Sequence, residues 1–120
     1  MPRSSRTGSI DRPAHARRAI ALFNGGDFWT AHEELETIWR ALPDGCEARV
    51  VQGLIQAAAA LHHRERGNRH GVVVVGERAL GKLAGAQHPA VEFETETFCR
   101  ELERALHRGG PAPELQLREP

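Results

Sequence analysis

The residues best able to do chemistry stand in two short segments: Trp29, His32, Glu33, Glu36 and Trp39 in the first, and Gln52, Gln56, His63 and Asn68 in the second. An imidazole and a carboxylate four residues apart lie one helical turn from each other, so His32 and Glu36 can hydrogen-bond directly beside Trp39. Glu33 points well away from the apolar stripe of this helix, to the side shared with Trp29 and Arg40, where a tryptophan signals partial cover. In the second segment Gln52, Gln56 and His63 fall within about 40° of one another, because eleven residues bring a helix almost back into phase. From Val50 to His63 no side chain is formally charged apart from the two terminal histidines, if protonated. In an ordinary helix such a stripe of glutamines faces water, but a helix this poor in charge is expected to be surrounded by protein, and its amides then need protein partners.

If the two segments face each other, three chemistries follow. The preferred one is a buried His/Glu/Gln network that specifies the fold, with a homodimer interface as one place for it. The second is a divalent transition metal held by His32, Glu36 and His63, with a glutamine orienting the ligands. In the third, an imidazole held by Glu36 acts as general base for hydrolysis or isomerisation. His32-Glu33-Glu34-Leu35-Glu36 lacks the second histidine of the HExxH zinc motif, and no Glu-x-x-His pair of the di-iron type occurs in that order. A structural or binding role is therefore expected ahead of a catalytic one. The rival is a small metal-dependent or acid–base hydrolase using His32, Glu33, Glu36 and His63 around a pocket walled by Trp29 and Trp39. A third reading is an adaptor for a partner helix.

The elements that must position these residues read as helices. Asp11 caps a first helix that tolerates Pro13 in its opening turn, with Ala16, Ala19, Ile20, Leu22 and Phe23 on its apolar side and Gly25-Gly26 ending it. Asp27 caps a second, in which Phe28, Ala31, Leu35, Ile38, Trp39 and Leu42 recur at helical spacing until Pro43-Asp44-Gly45. The third, residues 47–66, is the central apolar helix and closes at Gly67-Asn68, where Asn68 has a capping job. Val72 to Val75 is a β-branched run that propensity assigns to a strand, yet the spacing of Ala79, Leu80 and Leu83 makes it the opening of a fourth helix. A fifth follows Gln87-His88-Pro89, with Val91, Phe98, Leu102, Ala105 and Leu106 on one side. The expected fold is all-α, a single-domain bundle of about five helices over residues 11–108, between a loose tail at 1–10 and an extended tail at 109–120.

Composition narrows the function classes. Sixteen basic and sixteen acidic residues in 120 leave no overall positive field for nucleic acid or an anionic membrane surface. No run of about 18 apolar residues or apolar signal segment is present, which points to a soluble, cytoplasmic protein. Cys46 and Cys99 are far apart without metal or redox spacing and are expected to be reduced thiols. Arg64, Arg66, Arg69 and His70 form the densest basic cluster, a solvated group that can meet a phosphate or carboxylate near the fourth helix.

These residues resemble a family of small bacterial and archaeal all-helical proteins, domain of unknown function 309. The resemblance rests on Phe23-Asn24, Gly26-x-Phe28-Trp29, Ala31-His32-Glu33-x-x-Glu36-x-x-Trp39, Gly53-Leu54-Ile55-Gln56, and His63 with Gly67-Asn68 and Gly71, over roughly residues 14–108. It implies a helical bundle and supplies no reaction, cofactor or partner. Thr30 stands where the family often has Glu, and Val72–Val75 is more β-branched than the family's usual alanine- and leucine-rich opening.

Overall fold

The computed structural model describes residues 10–85 and 91–119. Among them are five helices: α1 Arg12–Asn24, α2 Phe28–Arg40, α3 Cys46–Glu65, α4 Arg69–Leu83 and α5 Glu96–Arg108. The Gln87-His88-Pro89 turn and all but the last residue of the expected N-terminal tail lie outside the described residues. No helix among the described residues is long and apolar enough to cross a membrane.

The starts of three helices follow from their capping side chains. Asp11 Oδ1 accepts the Ala14 N–H at 3.1 Å, Asp27 Oδ1 the Thr30 N–H at 3.3 Å, and Asn68 Oδ1 the Gly71 N–H at 3.0 Å, each satisfying a donor the helix cannot. Between α1 and α2 the chain reverses through Gly26 at φ +89°, a conformation that favours glycine.

α3 is the spine. Val50, Val51, Leu54, Ile55, Ala57, Ala58, Ala60 and Leu61 are all buried along it, flanked by α2 and α4. α1 packs on α2, and α5 lies against α4 while sending Phe98 to meet Phe23 at 5.4 Å between ring centroids. α4 approaches closely because glycines stand at its contacts. A Cβ on Gly53 would fall 2.9 Å from Leu83 Cγ, one on Gly71 2.6 Å from His63 Cγ, and one on Gly76 2.8 Å from Leu106 Cδ1. This packing overrides the strand propensity of Val72–Val75, which lies inside α4.

One expectation is corrected near the C-terminus. Val91 is not on the fifth helix: residues 91–95 are not helical and α5 starts at Glu96, because Glu94 Oε2 accepts the N–H groups of Glu96 and Thr97, both at 3.1 Å. The segment after α5 is extended but not loose. The Asn24 amide donates to the Leu115 carbonyl at 2.9 Å while its oxygen accepts the Leu115 N–H at 2.8 Å. Glu94 N–H donates to Gln116 and Arg118 N–H to Glu92, flanking an antiparallel bridge between Phe93 and Leu117. Leu115 is thereby carried into the core at 1% exposure. Two further contacts to this region come from Arg12, whose guanidinium grips Glu92 with two hydrogen bonds of 2.8 Å and ties it to α3 through a third, to Glu47. Glu92 above all, then Glu47, pushes the Arg12 pKa up against the opposing effect of burial.

Candidate functional site

α2 and α3 run side by side, and what each polar residue meets depends on which neighbour its face turns to. The stripe of Gln52, Gln56 and His63 turns toward α4, not α2. Gln56 Oε1 accepts from Lys82 Nζ at 2.9 Å. His63 lies over Gly71, and its Nδ1 is 3.1 Å from Asn68 Nδ2. The Asn68 oxygen is already taken by the Gly71 N–H, so the amide nitrogen faces the ring; Nδ1 of His63 accepts, and its proton sits on Nε2. Asn68 thus caps α4 and orients His63 at once.

His32 and Glu36 are left to each other and to their own helix. His32 Nε2 is 3.9 Å from Glu36 Oε2, and Arg40 reaches Glu36 Oε1 at 3.6 Å, both beyond hydrogen-bond length. These side chains are 16% and 31% exposed, half-buried where full burial was expected. The single network spanning α2 and α3 is therefore replaced by separate groups, because the glycine contacts draw the Gln/His stripe of α3 onto α4. Gln52 is half-buried on that stripe, and Trp39 is half-buried against the core. His63 and the His32–Glu36 pair do not gather into a metal site: among the described residues no group of three or more His, Cys, Asp or Glu side chains is placed to hold a metal ion.

What does assemble is an aromatic cluster. The Trp29 indole lies flat on His32, centroids 4.8 Å apart and planes 8° apart, and meets His62 at 5.2 Å and 42°. His62 in turn neighbours His63 at 6.3 Å. Trp29 nonetheless stays 48% exposed. Within this stack Nδ1 of His32 is buried with no hydrogen-bond partner among the described residues, an arrangement that carries a desolvation cost.

His62 is the residue the sequence argument missed. It sits one position, about 100°, from His63, and that rotation turns it from α4 to Trp29. Asn24 was missed as well; its pair of hydrogen bonds to Leu115 spans 91 positions, a contact that no local pattern encodes.

Two surface hollows among the described residues are walled by Arg100, Glu103, Arg104, His107 and Arg108 and by Phe23, Asn24, Gly25, Gly26, Phe28, Ala112, Pro113 and Glu114. Neither contains Trp29 or Trp39. Of the basic cluster, Arg64 donates to the carbonyls of Ala105 at 3.2 Å and Gly110 at 2.8 Å, closing the end of α5. Both cysteines are free; Cys46 is exposed, while burial, reinforced by Glu103, pushes the Cys99 thiol up.

Fold and site together define a small helical domain with an aromatic–imidazole cluster at one face. Residues 16–75 match the model of the family described as Domain of unknown function (DUF309), half of the chain, and the protein belongs to that family. It is 39% identical over 68 residues to an "Uncharacterized protein" of Aquifex aeolicus (strain VF5), a match that takes in 57% of this chain and 20% of that protein. The chain thus spans about a fifth of that relative's length. No solved structure matches it.

Proposed function

We propose that this helical domain is a non-catalytic binding module of the cytoplasm, and that the face carrying Trp29, His32, Glu33 and Glu36 is where it binds. The observation that carries this reading is the half-exposed Trp29, held flat on His32. A large aromatic side chain left in water gives up burial that most folds would use. Fixing its orientation by stacking pre-orders it for contact, as interface anchors are. Glu33 beside it is exposed, so the face combines an apolar plate with carboxylate acceptors. The working unit is the helical domain of residues 11–108 with the following segment folded back on it. Equal numbers of acidic and basic residues speak against nucleic acid as the partner.

The hydrolase alternative draws little support from the geometry, since His32, Glu33, Glu36 and His63 do not converge on one point. The test separates binding from structure at a single residue. Trp29→Ala should leave the melting temperature within a few degrees of the parent, as a surface truncation does, whereas a tryptophan that holds the fold costs about 3–5 kcal/mol. A drop of the larger size would assign Trp29 to the fold and end the binding proposal.

A further inference from the structure

We infer that the Trp29 face recognises a guanidinium, and that its partner is an arginine-bearing segment of another protein; this rests on the binding reading above. On α2, Trp29, Glu33, Glu36 and Arg40 fall within about 60° of one another around the helix axis. Side chains on a helix lean toward its N-terminus, so Glu33 reaches back over the turn that holds Trp29. Glu33 is exposed and its carboxylate has no partner among the described residues; the Thr37 hydroxyl at 3.2 Å reaches its backbone carbonyl instead. Glu36, one turn on, has Arg40 at 3.6 Å and the His32 ring at 3.9 Å, so its lone pairs too are open to a closer donor. By contrast Glu34, on another side of the helix, is bound by His15 at 2.8 Å and Arg18 at 3.4 Å.

The stripe therefore offers an indole plate followed by two under-used carboxylates, which is the complement of a cation. His32 lies flat on one face of the indole and His62 meets it at 42°, yet Trp29 remains 48% exposed. A planar guanidinium can stack on that ring and fork onto Glu33 at the same time, whereas an ammonium is a compact, strongly hydrated charge with no plane to stack. Two like charges a turn apart on one helix also repel, and an arriving cation removes that repulsion.

The experiment uses the full chain with Trp39→Phe, so that Trp29 is the sole indole reporter, titrated with N-acetyl-arginine amide and followed by the indole N–H resonance and fluorescence. Saturable binding in the millimolar range is expected, weakened about tenfold in Glu33→Gln by loss of the charge-assisted pair, and weakened again by added salt. N-acetyl-lysine amide should bind several-fold more weakly. No response up to about 50 mM, an unchanged affinity in Glu33→Gln, or equal binding of the lysine compound would overturn the guanidinium assignment. Adenosine, a neutral planar ring, binding where the arginine compound does not would overturn it too while leaving Trp29 as a binding surface. Failure of the binding reading itself is seen separately, in the stability of Trp29→Ala.

Discussion

His63 occupies its place because Gly71 leaves room for it: any Cβ there would lie 2.6–2.8 Å from three atoms of the imidazole. The ring cannot simply swing aside, since Asn68 holds its Nδ1. Gly71→Ala, though favourable to an isolated helix, should therefore destabilise the protein by about 1–3 kcal/mol in thermal or denaturant unfolding. A gain in stability would mean that α4 can move away from α3 at little cost. Glu36→Ala tests the other polar group. Its contacts are long and partly solvated, so a loss of a few tenths of a kcal/mol is expected; a loss of several would show that Glu36 holds a buried network after all.

Each helix is stopped and started by a chemistry of its own, and the ends are where elements speak to each other. Arg64, on the last turn of α3, donates to Ala105 and Gly110 and so binds the carbonyl end of α5, where a cation also complements the helix dipole. Its stem can be kept and its donors removed in Arg64→Met. That variant should lose about 1–3 kcal/mol, with faster amide exchange confined to the last turn of α5, Gly109 and Gly110. Uniform loss of protection across all helices would place Arg64 in the general core instead. Asn24 works similarly between α1 and the C-terminal segment, replacing with one side chain the pair of bonds that a neighbouring strand would supply.

On the scale of the molecule, principal extents of 43 × 26 × 24 Å describe a bundle longer than it is thick, closed along one side by the segments 91–95 and 115–118. Leu115 is the anchor of that closure. Leu115→Ala should cost about 2–5 kcal/mol and make the chain beyond residue 109 sensitive to proteolysis; an unchanged melting temperature would show the segment to be an appendage. The five helices, their caps at Asp11, Asp27 and Asn68 and the central place of α3 were legible in the sequence, because periodicity and capping act over a few residues. Even Val72–Val75 was assigned correctly, from the spacing that follows it. The path of residues 109–119 was not legible, since its bonds join positions about 25 to 90 residues apart. The candidate site divided in the same way. Local spacing identified His32, Glu36, Gln56, His63 and Trp29 as residues whose surroundings would matter. Only tertiary packing, through glycines that let α4 press against one face of α3, decided that the Gln/His stripe would serve that contact while His62 turned to Trp29.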